Sequence, residues 1–460
     1  MSLSLRTAMF SPTAIAYACV ATAAAMSLTA NSAYAGGGNF FGGAVGGVKI
    51  SAEGVLSNPT TGDLEQLQAA WQAGLENIPA DLDQLTELRF VSLRGLEAEI
   101  AKYRKKMLPL PDAVKYLAGL QRVEYVLVYP NRSDIVLAGP AEGWRIDSLG
   151  NVVGATTGQP VLQLEDLMVA LRSADNTNKT GISCSIDPTD HGVKNAQRLQ
   201  QQLRAGITPQ AASQKLEEVL GEQIITVTGV PATSHFARVI VAADFRMKRL
   251  AMNFEPAPID GMPSYLQLAS KSRKRAQNML PRWWLAADYE SILRDPQGLV
   301  WQLRGQGVKC LTEQDLVEAN GQRQQTGQME PAAQKWAETF TARFPELARE
   351  DSTFAQLRNV MDLAIVGALL AKENLYQKAG LELPRLLADE MLATYHAPRR
   401  VASQASFVKQ RGGWLISASG GMQLDPWLLA DQTEISAALN QQHAEGVRLA
   451  NNRWWWNGEN

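Results

Sequence analysis

The stretch Val123-Glu-Tyr-Val-Leu-Val-Tyr-Pro-Asn-Arg-Ser-Asp-Ile-Val-Leu-Ala138 holds two apolar runs on either side of a polar turn. In the first run, Val123, Tyr125 and Leu127 alternate with residues that are also mostly apolar, which predicts a β-strand buried on both faces. The second run, 134–138, is predicted to pair with it as a hairpin across residues 130–133. This hairpin indicates that a β-sheet contributes to the core of the protein.

Outward from the hairpin, the chain alternates between extended and helical patterns. Strands are predicted at 48–51, 181–186, 223–228, 237–243, 298–303, 401–408 and 413–418. Helices are predicted at 63–77, 93–107, 162–173, 190–221, 330–347 and 353–379. This mixture predicts an α+β fold of helices and antiparallel hairpins, with at least two subdomains.

Three separated segments share one spacing, in which a glycine opens and closes an eight-residue unit. They are 47–54, 143–150 and 413–420. In each, the second, fourth and sixth positions are predicted to face one side of a strand, and the closing glycine is predicted to form a tight turn. The alternative is a chance match among common strand and turn residues.

The first 35 residues have the pattern of a secretory signal peptide. Arg6 is the only charged residue before Lys49, and it precedes an Ala-rich apolar stretch. The small residues Ala33 and Ala35 suit signal peptidase, so cleavage is predicted between Ala35 and Gly36. A membrane anchor is the alternative interpretation.

Composition shifts suggest where the remaining chain divides. A Gly-rich leader is predicted at 36–47, and residues 321–330 are polar and contain two glycines, which indicates a linker. The regions between these segments are 48–225 and 226–320, both α+β, and 331–460, a helical segment followed by a hairpin and a Trp-rich tail. The apolar stretch Val360–Ala371 is too short for a bilayer and is interpreted as a buried helix, so no stable membrane span is expected after signal removal.

Charge and cysteine content limit the classes of function. The 44 basic and 46 acidic side chains give a net charge of −2, so no global cationic field favours nucleic acid, which is not expected as a partner. Cys184 and Cys310 remain after signal cleavage and could form a disulfide in an oxidising compartment. Because Cys184 lies in an apolar alternation, a buried thiol is the preferred interpretation.

Several strings, read together, resemble a domain-of-unknown-function family of exported bacterial proteins that is met mainly in planctomycetes. The strings are 116–122 (YLAGLQR), 135–144 (IVLAGPAEGW), 150–154 (GNVVG), 182–188 (ISCSIDP), 228–232 (TGVPA), 235–238 (HFAR), 245–249 (FRMKR), 281–284 (PRWW) and 403–409 (SQASFVK). The resemblance covers most of the mature chain and implies an exported protein of the planctomycete type. It implies no activity, cofactor or catalytic residue.

Residues capable of acid–base chemistry are few. The four histidines are not spaced as metal ligands, so no metal site and no cofactor are predicted. Asp187, Asp190 and His191 form a polar cluster after a strand, where they could act as acids and bases; the alternative is a turn in which Asp190 caps the next helix. Together with His235 and Asp244, they are the candidates for a hydrolytic site.

The eleven tryptophans are unusual, in particular the pair Trp283–Trp284 and the run Trp454–Trp456. Such rings can stack on sugars or anchor a partner. Three consecutive tryptophans cannot all face one core, and the tail is expected to fold back onto the body of the protein. The sequence therefore favours a non-catalytic binding or structural component of the cell envelope or extracellular space, with an envelope polymer or a protein as partner. An envelope hydrolase is the alternative.

The signal peptide leads to the first testable prediction, that the exported protein begins at Gly36. N-terminal sequencing of the protein recovered outside the cytoplasm measures this directly. A retained Met1 would contradict cleavage by signal peptidase.

Overall fold

Two large β-sheets with helices packed against them form the framework of the protein in a computed structural model. It describes residues 44–45, 47–202, 207–271, 280–317, 323–328, 330–388, 394–408, 414–439, 443 and 453–458. The predicted signal peptide, its cleavage site and nearly all of the Gly-rich leader lie outside the described residues. The mixed helices and strands, arranged in several sheets, confirm the predicted α+β class.

The strands, in chain order, are β1 (Ala44–Val45), β2 (Val48–Ile50), β3 (Val55–Ser57), β4 (Thr86–Ser92), β5 (Tyr125–Tyr129), β6 (Asp134–Ala141), β7 (Trp144–Ile146), β8 (Val152–Gly154), β9 (Ile182–Pro188), β10 (Glu222–Thr228), β11 (Arg282–Asp288), β12 (Ile292–Arg294), β13 (Val300–Gln302), β14 (Gly307–Val317), β15 (Arg323–Gln328), β16 (Arg400–Ala402), β17 (Ala405–Val408), β18 (Trp414–Ser417), β19 (Ser419–Leu424), β20 (Thr433–Ile435) and β21 (Trp455–Asn457).

The α-helices are α1 (Thr61–Gly74), α2 (Ala80–Asp83), α3 (Leu93–Lys105), α4 (Asp112–Lys115), α5 (Leu164–Thr180), α6 (Asp190–Gln202), α7 (Pro209–Leu220), α8 (His235–Ala251), α9 (Tyr265–Lys271), α10 (Pro331–Ala342), α11 (Phe344–Glu350), α12 (Ser352–Lys372), α13 (Leu375–Ala379) and α14 (Pro426–Asp431). Single 3-10 turns are formed by Leu117–Gly119, Pro130–Arg132 and Ala437–Leu439.

The larger sheet has the strand order β1-β2-β3-β16-β10-β9-β19-β11-β14-β15, and the smaller has the order β20-β12-β13-β5-β6-β4-β21. Two further two-stranded sheets pair β17 with β18 and β7 with β8. The predicted hairpin is confirmed: β5 and β6 are antiparallel, with Tyr129 opposite Asp134 across the 3-10 turn. It lies at the centre of the smaller sheet, where both faces are covered.

The predicted regional boundaries do not coincide with the sheets. The larger sheet takes strands from all three regions, since β9 belongs to 48–225, β11 to 226–320 and β19 to 331–460. The predicted linker at 321–330 instead contains β15, which pairs antiparallel with β14. Its polar composition suits an edge strand as well as it suits a linker, because composition alone does not show backbone pairing.

The prediction of a strand at 237–243 was wrong, because this segment lies within helix α8. The Ser234 hydroxyl accepts the backbone N–H of Ala237 at 3.1 Å and caps the start of the helix. Nearly every residue of α8 is buried, including the charged Arg238, Asp244 and Lys248. Residues 239–243 are an unbroken apolar run, and periodicity alone cannot tell a run this short in a buried helix from a strand.

The three repeated segments share only part of the predicted geometry. Val48 and Ile50 in the first, and Trp144 and Ile146 in the second, are buried on one face of a short strand. The sixth position lies in the following turn rather than in the strand, and Gly54 and Gly150 close each turn with positive φ. In the third segment Gly420 lies within β19, so no turn closes there; Gly413 lies outside the described residues.

The predicted buried helix at Val360–Ala371 is confirmed as part of α12, which packs against helices α5, α8 and α14. By length and composition α12 is the one helix among the described residues that could cross a membrane, and it lies mostly inside the protein. Asp362, fully buried at its midpoint, accepts two hydrogen bonds from the Arg122 guanidinium, at 2.8 and 3.1 Å, and one from the Tyr289 hydroxyl at 2.6 Å. These bonds connect α12 to segments that flank both sheets.

The Trp-rich tail folds onto the body, as predicted, and adds strand β21 to the edge of the smaller sheet. Trp455 pairs with Val91 and Trp456 with Phe90, and the rings of Trp456 and Phe90 stack with centroids 5.5 Å apart. Both tryptophans are buried, whereas Trp454 is half-buried. Next to them, the buried Arg89 donates a hydrogen bond of 2.7 Å to the Asn457 side chain. The tail therefore covers an edge that would otherwise offer unpaired backbone groups.

The docked tail leads to a second prediction, that Trp456→Ala lowers the free energy of unfolding by about 3–5 kcal/mol, because it removes a buried ring stacked on Phe90. Deleting residues 453–460 is expected to lower the melting temperature as well. Chemical denaturation followed by tryptophan fluorescence measures the free energy of unfolding, and a thermal scan measures the melting temperature, with Trp454→Ala as the less buried control. An unchanged melting temperature after the deletion would contradict structural docking.

Candidate functional site

The larger sheet has one buried face and one accessible face. On the buried face, Cys184, Trp283 and Met422 point toward α8 and the core. The side chains that alternate with them along β10, β9, β19, β11 and β14 point the other way and are half-buried or exposed, apart from a few at the centre. We call this second surface the outer face.

Strand register places the aromatic residue Trp284 on the outer face. Trp284 on β11 lies opposite Leu311 of β14 on one side and Gly421 of β19 on the other. Gly421 lies opposite Ser185, which in turn lies opposite Thr226. We call these five positions the Trp284 row. A side chain at Gly421 would collide with the Cys184 carbonyl oxygen, 1.9 Å from an ideal Cβ, so the position next to the indole stays without a side chain.

The indole of Trp284 is held from one side by a charged pair. The guanidinium carbon of Arg282 lies 4.7 Å from the ring centroid, and the same guanidinium lies 3.6 Å from a carboxylate oxygen of Asp187 on β9. A cation over an indole face stabilises the ring in one orientation. Trp284 is therefore half-buried and positioned by its neighbours, and Asp187 has a role in this surface.

A second line of side chains lies beside the Trp284 row. Ala286 of β11 lies opposite Gln423 of β19 and opposite Lys309 of β14. Gln423 lies opposite Ser183, whose hydroxyl is 2.7 Å from that of Thr228 on β10. We call these five positions the Gln423 row. It presents an exposed amide, two hydroxyls, a methyl group and the Lys309 ammonium beside the Trp284 row.

The outer face carries charges of both signs, and they form ion pairs. Besides the pair of Asp187 and Arg282, the Lys309 ammonium lies 3.7 Å from Asp288, and Arg400 lies 3.1 Å from Glu222. These pairs are partly exposed, so each contributes little to stability. Their main effect is to balance the charge of the surface.

Beneath the outer face, α8 attaches to the sheet through a buried ion pair. The Lys248 ammonium lies 2.8 Å from Asp244, 3.1 Å from the Ile186 carbonyl oxygen and 3.3 Å from that of Gly420. Burial raises the pKa of Asp244 to about 6, although the Lys248 charge opposes this shift. Asp244, a predicted catalytic candidate, therefore helps to hold β9 and β19 in position.

A separate polar cluster lies where the N-terminal ends of α5 and α8 meet. The His235 Nδ1 atom is 2.9 Å from Oδ2 of Asp166, and both side chains are buried. The Tyr395 hydroxyl donates a hydrogen bond of 2.8 Å to Glu165, and the Arg238 guanidinium lies 4.6 Å from the Tyr395 ring centroid. We call these five residues the His235 cluster.

Burial and close charges shift the proton affinities in this cluster. Burial raises the pKa of Glu165 to about 7, and the neighbouring Asp166 charge adds to this effect while His235 opposes it. Burial alone would lower the pKa of His235, but the Asp166 carboxylate outweighs it, so the pKa lies above its ordinary value. A carboxyl group and a histidine that both have raised pKa values and lie close together are typical of a catalytic site and also of a buried structural network.

The geometry around His235 does not complete a hydrolytic site. The adjacent Ser234 hydroxyl donates to the Pro231 carbonyl oxygen at 2.6 Å and accepts the Ala237 N–H, so the helix cap occupies it. A cavity of about 260 Å³ lies between residues 253–264 and Trp336, and His235 does not line it.

The other predicted acid–base residues are not brought together with His235. Asp190 and His191 are exposed on the first turn of α6, which is capped by the Thr189 hydroxyl rather than by the predicted Asp190. Asp244 lies nine residues beyond His235 in α8, about 13 Å along the helix axis. Of the three residues in the predicted cluster, Asp187 therefore belongs to strand β9, whereas Asp190 and His191 belong to the first turn of α6.

Cys184 and Cys310 are free and buried, and no disulfide joins them. The Cys184 thiol contacts the Ile240 carbonyl oxygen at 3.5 Å and the Cys310 thiol contacts the Met247 sulfur at 3.8 Å. Burial raises the pKa of both thiols well above the ordinary value, which disfavours the reactive thiolate. In the part of the chain that the structure describes, no group of His, Cys, Asp or Glu side chains could hold a metal ion.

The two tryptophans of the predicted pair have different surroundings. Trp283 is fully buried and packs edge-on against Tyr265 and Trp336, with centroids 5.1 and 5.2 Å away. Of the two, only Trp284 reaches the outer face.

The sequence did not predict that Gly421, Gln423 and Ser185 lie near Trp284, because their proximity depends on strand order. The strict alternation along β9 was the signal that one face is accessible.

Comparison with known proteins gives one match. Residues 184–265 match a family model described as a protein of unknown function, DUF1598. No curated protein and no solved structure matches the chain. The matched segment contains most of β9 and all of β10 and α8, and thus Ser185, His235 and the buried pair of Asp244 and Lys248.

The His235 cluster leads to a third prediction, on pH dependence. The folded protein holds the Glu165 proton more tightly than the unfolded chain, where the carboxyl titrates near 4.5. The Glu165 contribution to stability is therefore lost as the pH rises from this value through about 7. Glu165→Gln abolishes this contribution, so the melting temperature of the variant is expected to rise relative to wild type with increasing pH.

Thermal scans between about pH 5 and about pH 8 test this prediction. Glu218→Gln, at an exposed position of α7, is the matched control. A difference between Glu165→Gln and wild type that stays constant over this range would contradict it.

Proposed function

We propose that this protein is an exported, non-catalytic binding component of the cell envelope or extracellular space, and that the outer face is its binding surface. Its amino-terminal 35 residues have the pattern of a signal peptide, and the nine strings quoted above resemble exported planctomycete proteins. The match to a family of unknown function is compatible with such a role.

The observation that carries the proposal is the half-buried Trp284, positioned by Arg282 beside an obligatory glycine on an open sheet face. Aromatic side chains held in one orientation lose little conformational entropy on binding, and tryptophan is enriched at binding surfaces. The ion pairs and hydroxyls around it are typical of the polar surroundings of such a contact. Binding of a ligand to such a sheet face requires no catalytic side chain.

An envelope hydrolase is the second candidate, and the pair of His235 and Asp166 is the observation that favours it. A histidine whose Nδ1 contacts a carboxylate is held in one orientation, as a general base requires. However, the neighbouring Ser234 hydroxyl serves as the helix cap, and His235 itself is buried. The binding role is therefore the better supported of the two.

The fourth prediction tests this role directly. The mature protein is expected to sediment with isolated envelope material of its own cells and to release no soluble fragments from that material. Ser185→Arg places a long cation on the outer face and is expected to weaken the association roughly tenfold. Gln66→Arg, at an exposed position of α1, adds the same side chain away from this face and is the matched control.

Three results would contradict the proposal. The first is wild-type protein that stays in the supernatant, and the second is Ser185→Arg protein that sediments as wild type does. The third is the release of soluble fragments by wild type but not by His235→Gln, which would establish the hydrolase instead.

A further inference from the structure

We infer that the outer face binds an uncharged carbohydrate chain, with a sugar ring stacked on the indole of Trp284. The inference rests on the proposed function, since it names the ligand of the same surface. It depends on three properties of the described residues: the aromatic ring, the hydroxyl and amide groups next to it, and the balance of charge.

The first property is the space around the indole. Along β11, Arg282 lies over one side of the ring. On the other side, the next residue that points outward is Ala286, about 7 Å away, and it carries only a methyl group. Across the sheet, Gly421 has no side chain at all. A flat ring with small residues on two sides is accessible to another flat, partly apolar ring, and the C–H face of a sugar has this character.

The second property is the supply of hydrogen-bonding groups. Gln423 is exposed beside Ala286, and the Ser183 and Thr228 hydroxyls continue the same row. Amides and hydroxyls both donate and accept hydrogen bonds, as the hydroxyl groups at a sugar's edge require. The five strands that carry these rows span about 19 Å, which offers room for several linked sugars.

The third property separates a neutral ligand from a polyanion. Arg282, Lys309 and Arg400 each lie within 4 Å of an acidic side chain of the same face, so their charges are already balanced. A polyanion binds through cations that are available to neutralise it, and its affinity falls steeply with salt. The charge balance of the outer face therefore favours an uncharged polymer.

The fifth prediction uses affinity electrophoresis of the mature protein in native gels that contain hydroxyethylcellulose, dextran, soluble starch or heparin. At least one of the neutral polymers is expected to retard the wild-type protein more than heparin does. Trp284→Ala is expected to raise the apparent Kd for that polymer roughly tenfold or more. Trp454→Ala, which truncates another half-buried tryptophan, is the matched control and should bind as wild type does.

Gln423→Ala provides a second variant, in which the half-buried indole of Trp284 stays in place. Because the Gln423 side chain is exposed, the melting temperature should not change. The apparent Kd is expected to rise several-fold, since the variant loses about one hydrogen bond to the polymer. Melting temperatures of all variants show whether the loss of binding reflects unfolding.

Three results would overturn the inference: no retardation by any neutral polymer, stronger and salt-sensitive retardation by heparin, or folded Trp284→Ala and Gln423→Ala proteins that bind as wild type does. Failure of these assays while the protein still sediments with envelope material would reject the carbohydrate ligand alone. Retardation by a neutral polymer without envelope association would instead reject the proposed location.

Discussion

The buried carboxylate of Asp362 is the constraint on which the packing of this protein depends. It lies at the midpoint of α12, a helix whose residues are nearly all buried and whose segment 363–370 is entirely apolar. A charge in such a place is tolerated only when it is paired and hydrogen-bonded, and removal of one partner costs about 3–5 kcal/mol. Arg122 and Tyr289 supply these partners. Burial alone would lower the pKa of Arg122, but the Asp362 charge outweighs it, so the pKa is raised.

The position of these partners explains how the two sheets are arranged around one core. Arg122 precedes β5 of the smaller sheet, and Tyr289 follows β11 of the larger sheet. Their contacts with one carboxylate place the ends of both sheets close to α12, against which α5 and α8 also pack. Helix α8 in turn holds β9 and β19 through Lys248. The helices thus cover the inner face of the larger sheet and leave its outer face to carry the candidate site.

The candidate functional residues differ in whether they are buried with a partner or accessible on the surface. Asp244 and His235 have raised pKa values, but each has a buried partner in the fold, Lys248 in one case and Asp166 in the other. Such groups stabilise the positions of elements. Trp284 and Gln423, whose side chains do not titrate, lie on an accessible surface with space beside them. Accessibility, more than titration, therefore favours the outer face as the functional surface.

The sequence by itself determined the local features of this protein. The apolar run from Val123 predicted the β5–β6 hairpin, and the twelve-residue stretch at Val360–Ala371 predicted a buried helix, because hydrophobic periodicity depends on near neighbours. The Trp-rich tail was correctly expected to dock, since three exposed tryptophans would favour aggregation. A short apolar run carries too little periodicity to separate a helix from a strand, which is why residues 237–243 were mistaken for a strand.

Only the tertiary structure decided which residues share a surface. Trp284, Gly421 and Ser185 are more than 95 positions apart from one another in the sequence, and strand order alone places them in one row. The same holds for His235 and Asp166, which meet because the ends of α5 and α8 converge. Pairing of distant strands is set by the packing of the whole chain, and no short pattern encodes it. The outer face is therefore a product of the fold.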